Sequence, residues 1–435
     1  MRPNMLAFAC TLLFLSAPGF GQVTQIGIAA HAPTTTTPTE LAPLTLPEAL
    51  ARASLANPAL RAKQAQLSAA EGLNTDARSL LFNNPQLSVD KTRRLVPQAG
   101  MGPERRNEWN GGLSQAFETG GQGGFRRETA ASALEALRYE IVDTQRQVRS
   151  DVSSRFYRVL ALQQRVDLET QALKLFNDAA AAVQKRRSAG EDTKLDANVT
   201  LVEAERARNQ LAQAQEHLTE ERAELGARLQ LVGPALPLAQ GDLAPQGMGF
   251  ALNDLLESLD AQPRLLALAA REKSANARYR LERANRSPDV TVGLNVGREG
   301  SLAARERLTT LSVSVPLPLF KRNTAGIGQA STEATQAQIE RESAQRDVRA
   351  TVMSLWSRLS SQEQRVRRLQ DVVLPALTEN LSLSVKSRQA GQIGLLELIV
   401  VNRQALDARR DLIEALSEYH STRAALELEA GWPKQ

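Results

Sequence analysis

Asp289-Val-Thr-Val-Gly-Leu-Asn-Val-Gly297 and Thr309-Thr-Leu-Ser-Val-Ser-Val-Pro-Leu317 are the stretches on which the fold turns. In the first, Val290, Val292, Leu294 and Val296 alternate with polar or small residues. In the second, Leu311, Val313, Val315 and Leu317 do the same. A period of two marks β-strands with one apolar and one wet face. Trp109, Leu113 and Phe117 carry the pattern more weakly, and Leu87 and Val89 more weakly still, giving four strands near 85–91, 107–117, 288–297 and 307–317. Runs of about ten residues with this alternation suit a lipid-facing exterior around a wet interior, and they also suit a half-buried soluble sheet. Four strands cannot close a barrel, so a membrane reading requires several chains to share one.

Around these strands the dominant signal is helical. Leu134, Leu137, Ile141, Val148, Val152 and Phe156 begin a stripe spaced at three, four or seven residues that runs to Val183. At 1.5 Å per residue the stretch 126–189 is a helix roughly 90 Å long. On its own this predicts an extended coiled coil, and the strands argue against a coiled coil alone. Further helices are expected over 47–81, 193–231, 251–285, 328–389 and 395–430.

The chain repeats itself at a spacing of about 200 residues. Ala56-Asn-Pro-Ala-Leu60 answers Ala261-Gln-Pro-Arg-Leu265, and Asn84-Pro-Gln-Leu-Ser-Val89 answers Ser287-Pro-Asp-Val-Thr-Val292. Gln164-Arg-Val166 returns as Gln364-Arg-Val366. Lys185-Arg-Arg-Ser-Ala-Gly190 returns as Lys386-Ser-Arg-Gln-Ala-Gly391, each followed six residues later by an acid, Asp196 or Glu397. The predicted organisation is a signal peptide over 1–21, an extended Thr/Pro-rich arm over 22–44, a first repeat over 45–231, a linker over 232–250 and a second repeat over 251–435. The fold class is mainly α with a small β part.

Composition narrows the function. The 435 residues hold 53 Lys+Arg against 48 Asp+Glu, a balance too even for a dedicated nucleic-acid binder. Only 4% of residues are aromatic, as expected where Ala lets long helices approach closely. Arg2, the apolar run from Met5 to Leu15 and the small residues to Gly21 follow the order of a signal peptide. Its removal takes away Cys10, the one cysteine; lipidation of Cys10 is the alternative. No later stretch offers the roughly 20 apolar residues of a spanning helix. His31, His217 and His420 are isolated, and no phosphate loop, nucleophile elbow or metal-ligand cluster occurs, so neither an enzyme nor a cofactor or resident metal is expected.

Leu46-Pro-Glu-Ala-Leu50 with Asn57-Pro58, Leu113-Ser-Gln-Ala-Phe117 leading to Gly120-Gly121, and the Ala-Gly-x5-acid turns at 189–196 and 390–397 resemble the TolC-type outer membrane efflux family over nearly all of the mature length. Val315-Pro-Leu-Pro-Leu-Phe-Lys-Arg-Asn323 with Gly326, Tyr419-His420, Leu426-Glu427 and Gly431-Trp432 are similar to the outer membrane component of cobalt-zinc-cadmium (CzcC-like) efflux systems. The resemblance implies a homotrimer in which four strands per chain build a twelve-stranded barrel in the outer membrane of a Gram-negative bacterium. The helices then form a long barrel through the periplasm. It implies a periplasmic adaptor and a proton-driven inner membrane pump of the resistance-nodulation-division type as partners, with heavy-metal cations as cargo. Drug efflux or protein secretion through the same fold, or a periplasmic scaffold, are the alternatives.

By the same resemblance, Ala189, Gly190, Ala390 and Gly391 form hairpin tips where the adaptor docks, and Asp196 and Glu397 line the periplasmic aperture. Val400 stands where a second acid is often found, and Arg187 and Arg388 stand where aromatics are common, so Leu395 and Leu396 are the alternative gate. Trp109, Leu113, Val290, Val292, Leu294, Val296, Leu311, Val313 and Val315 are the expected membrane-facing residues. Lys91, Arg93, Arg94, Arg105 and Arg106 are expected in an outward loop between the first two strands, and Trp109, Phe117 and Phe320 in an aromatic girdle.

Overall fold

Thr45 and Pro47 start the first helix. Glu48 accepts hydrogen bonds from the Thr45 amide (2.9 Å) and hydroxyl (2.7 Å), the reciprocal box that satisfies a helix N-terminus. The computed structural model describes residues 43–433 except 234, 235, 246, 248 and 301–304. The expected signal peptide and nearly all of the arm lie outside the described residues. Helix α1 (Leu46–Ala56) ends at Asn57, which Pro58 forces into an extended conformation; the Asn57 side chain then caps α2 (Pro58–Ala77) by accepting from the Ala59 amide. The single helix expected over 47–81 is therefore two, divided at Asn57-Pro58.

Strands β1 (Gln86–Gln98) and β2 (Met101–Phe117) follow, then α3 (Gln122–Ser188) and α4 (Lys194–Arg228). The second half gives α5 (Leu252–Ser258), α6 (Pro263–Ala284), β3 (Val290–Gly300), β4 (Arg305–Ser314), α7 (Thr324–Arg368), α8 (Leu374–Gln389) and α9 (Leu395–Glu429). Both halves thus run helix, two strands, long helix, glycine turn, returning helix. Helix α3, with 67 residues, is about 100 Å long.

Its counterpart in the second half is not continuous. A five-residue π-helical segment, Leu369–Val373, separates α7 from α8. Pro375 explains it. Inside an α-helix its ring would meet the carbonyl of Asp371, and the wider π turn makes room for it.

The four strands form one antiparallel sheet in the order β1-β2-β3-β4. Two corrections concern strand ends. The first hairpin is longer than the alternation suggested, because β1 and β2 continue to a tight turn at Gly100 (φ 82°). Lys91, Arg93, Arg94, Arg105 and Arg106 consequently sit in strands, not in a loop; charged residues occupy both faces there, which hid the period of two. β4 stops at Ser314, so Val315 lies beyond it, since Pro316 and Pro318 cannot donate ladder hydrogen bonds.

The helices pack through three clusters. One gathers Val152, Phe156, Val159, Leu225, Leu243 and Val366. A second holds Leu255, Val348, Val352, Leu359 and Tyr419. The third, from α3, α4 and α9, uses Leu168, Ala172, Phe176, Ala204, Ala207, Ile399 and Leu406. Alanine at the contacts lets the axes come close, and the periodic stripe from Leu134 to Val183 supplies the α3 side. The segment between the repeats is strapped down. The Gln163 side chain donates to the Ala239 carbonyl (3.0 Å) and accepts from its amide (2.9 Å), and Leu44 bridges to Ala239.

Candidate functional site

Two regions hold the residues singled out in the sequence. The first is the sheet. Its register aligns Leu87, Leu113, Leu294 and Leu311 in one row across all four strands. The next row is Val89, Gly111, Val296 and Thr309, and on the other side lie Gln115, Val292 and Val313, then Phe117 and Val290. Leu87, Leu113, Leu294, Leu311 and Val313 are exposed, at 49–77% of their full surface. A continuous apolar band this exposed is far larger than scattered surface leucines explain. Trp109 and Phe117 close the band on β2, eight residues apart, about 27 Å along the strand.

The opposite face carries Ser88, Asn110, Ser114, Asn295, Thr310 and Ser312. Glycines on it leave little room: a side chain at Gly112 would collide with Asn295, and one at Gly293 with Ser312. Phe320 is almost fully exposed beyond β4.

The second region is the pair of hairpin tips. Gly190 (φ 82°) and Gly391 (φ 72°) take a left-handed conformation that favours glycine. Each completes a Schellman turn: Glu191 N–H donates to Arg186 O (3.0 Å) with Gly190 N–H to Arg187 O (3.0 Å), and Gln392 N–H donates to Ser387 O (2.8 Å) with Gly391 N–H to Arg388 O (3.1 Å). Ala189 and Ala390 are the C-caps, both exposed.

The acids beyond the two turns occupy equivalent helix positions but different surroundings. Asp196 accepts from the Thr193 hydroxyl (2.6 Å) and amide (3.1 Å) while the Thr193 hydroxyl accepts from the Asp196 amide. These side-chain and backbone hydrogen bonds, aided by the charges of Arg388 and Arg186, hold its carboxyl below the usual carboxylate range. In the second half Gly394 replaces Thr193 as N-cap, and no hydroxyl is available. The Glu397 carboxylate folds over Gly394 in the space a side chain there would fill, is exposed, and forms no ion pair among the described residues. Leu395 packs against the α3–α4–α9 cluster, whereas Leu396 points outward at 61% exposure.

A feature missed in the sequence joins the helices above the tips. Glu169 of α3, fully buried, accepts from Arg410 of α9 (Nε–Oε1 2.9 Å) and from Arg165 one turn earlier, and Arg410 also reaches Gln210 of α4. Arg165 and Glu169 at i, i+4 were legible as a surface pair. Their burial depends on α9, some 240 residues away.

Among the described residues no group of three or more His, Cys, Asp and Glu could hold a metal ion, and no helix is long and apolar enough to cross a membrane. His420 is buried against Tyr157 (rings stacked at 3.8 Å), with Nε2–H donating to Leu243 O.

Two helix–strand–strand–hairpin units sharing one sheet is the architecture of outer membrane efflux proteins, and the chain belongs to that family, whose model matches residues 49–229 and 255–431. It is 27% identical over 379 residues to the cobalt-zinc-cadmium resistance protein CzcC of Cupriavidus metallidurans, covering 87% of this chain and 86% of that one. Similar solved structures include a membrane protein from Pseudomonas aeruginosa (TM-score 0.77, 17% identity, 89% and 92% covered). The Campylobacter jejuni CmeC outer membrane channel aligns with a TM-score of 0.74 at 10% identity, covering 89% and 85%, and CusC with 0.72 at 17%, covering 88% and 91%.

Proposed function

We propose that this protein is the outer membrane exit duct of a tripartite efflux system for heavy-metal cations. The observation that carries the reading is the sheet: an apolar band on one face, polar residues on the other, and two unpaired edges, β1 and β4. Open edges are not viable in lipid, because each unpaired backbone group there costs several kcal/mol. Three chains pairing β4 to β1 satisfy every edge and give a closed barrel of twelve strands. Tilted at about 40°, the 27 Å from Trp109 to Phe117 becomes a belt about 20 Å tall, close to the apolar band of outer membrane barrels.

The helices then extend from the barrel into the periplasm, with the tips at Ala189, Gly190, Ala390 and Gly391 offered to an adaptor that links the duct to an inner membrane pump. Three symmetry-related Glu397 side chains narrow the aperture and attract cations, with Leu396 beside them. Asp196, held in its capping box, contributes less. The duct is passive; adaptor and pump open it. Metal cargo is favoured over drugs or proteins by the likeness to CzcC, a cobalt-zinc-cadmium resistance protein.

A deletion strain tests the cargo. Sensitivity rising to zinc, cobalt or cadmium, with a drug panel unchanged and full rescue by the intact gene, is the expected result. Sensitivity to drugs alone would reassign it.

A further inference from the structure

The register that builds the apolar band also sorts the charges of the sheet by face. Beyond Val89, Val296 and Thr309, the next row on the same face is Lys91, Trp109, Arg298 and Arg307. Arg93 follows on β1, Arg105 on β2 and Arg305 on β4. The described positions of this face carry six cations and no acid. The acids lie on the other face: Asp90, Glu104, Glu108, Glu299 and Glu306, with Arg94 and Arg106. Two of the acids pair there, Glu104 with Arg106 (2.9 Å) and Glu108 with Arg94 (3.4 Å). All six cations on the apolar side are exposed, and among the described residues none forms an ion pair. Lys91 instead sits over the Trp109 ring, 5.0 Å from its centre, at the border of the apolar band.

Random placement does not produce this sorting, and solubility does not require it, since solvent would accept both signs on both faces. The cations also stand at one end only. The helices leave the sheet through Gln86, Phe117, Val290 and Ser314, whereas the cations occupy the hairpin ends, starting roughly 7 Å past the last apolar row. We propose that Lys91, Arg93, Arg105, Arg298, Arg305 and Arg307 form a belt that binds the phosphate groups of outer-leaflet lipopolysaccharide. Guanidinium groups grip phosphate oxygens in bidentate fashion, and three chains would present eighteen cations at the depth where those phosphates lie. The proposal rests on the outer membrane channel reading and adds to it the chemistry of the surrounding lipid.

The test compares purified full-length protein with Arg298→Gln/Arg305→Gln/Arg307→Gln, with the single Arg307→Gln, and with the inner-face control Glu299→Gln/Glu306→Gln. Each is reconstituted in phosphatidylcholine nanodiscs and titrated with diphosphorylated lipid A, its dephosphorylated form, or inorganic phosphate. The expected result is lipid A binding that falls at least about tenfold in the triple variant and less in the single one. The control keeps wild-type binding, and dephosphorylated lipid A binds weakly to every form. Equal binding by wild type and triple variant, or equal binding of the dephosphorylated glycolipid, overturns the belt. Displacement of lipid A by millimolar inorganic phosphate overturns the assignment to lipid. Ion conductance of the same purified proteins in planar bilayers keeps the two readings apart: a conducting trimer indifferent to lipid A defeats the belt alone, and a chain that never conducts defeats the channel.

Discussion

At the scale of single residues, the two acids beyond the glycine turns look interchangeable in sequence, yet their N-caps separate them. Thr193 engages Asp196 from both sides, whereas Gly394 leaves Glu397 exposed. Glu397→Gln is therefore expected to lower cation selectivity and multivalent-cation block in planar bilayers, and Asp196→Asn to change them little. Unchanged selectivity in Glu397→Gln would sink the aperture role. His420 gives a second residue-scale prediction. Burial pushes its imidazole below its ordinary pKa, with the hydrogen bond to Leu243 opposing. Between that lowered value and about 6.5 the unfolded chain binds the extra proton, so this contribution to stability is complete above about pH 6.5 and shrinks as pH falls. Thermal melting should show a loss on going from pH 7 to 5 that is smaller in His420→Phe. Equal losses in both proteins would remove His420 from the account.

At the scale of elements, the Glu169–Arg410 contact ties α3 to α9 and, through Gln210, to α4. Glu169→Ala strands two arginines in a largely buried site and should cost about 3 kcal/mol, the low end for a broken buried pair because Arg165 keeps some exposure. Replacing Glu169 and Arg410 together, Glu169→Met with Arg410→Met, should recover about half of it, since apolar packing there needs no counter-charge while Arg165 still lacks its acceptor. Urea denaturation read on the helices distinguishes the two; a double variant as unstable as the single one contradicts the account. The long helices, the glycine turns and the alternating strands were all legible, because each is a local pattern in which period and punctuation coincide. The break at Asn57-Pro58 and the π segment before Pro375 were legible in principle, since proline removes a donor at a known place. The extra length of β1 and β2 was not: past Val89 charged residues fall on both faces and break the alternation, and only pairing across Gly100 defines them as strand. The same pairing reveals which face each arginine takes.

At the scale of the whole molecule, the repeats contribute two strands each to one sheet, so neither half carries a complete β layer. The hairpin tips, closed by paired Schellman turns, are nearly equivalent, which suits a partner that grips both. Cys10, the one cysteine in the sequence, lies in the segment expected to be removed. Cysteines placed at Ala189 or Ala390 should then crosslink to the periplasmic adaptor in cells. Intact export without any such crosslink would place docking elsewhere.

The unpaired edges β1 and β4 have a genetic corollary. In a closed three-fold ring every subunit seals two seams, one with each strand, so a lesion in either edge spoils assemblies that also contain healthy copies. With equal amounts of normal and edge-defective chains, only about one ring in eight is free of the lesion. Edge mutations should therefore be dominant in a merodiploid, whereas lesions that prevent a chain from folding at all should be recessive.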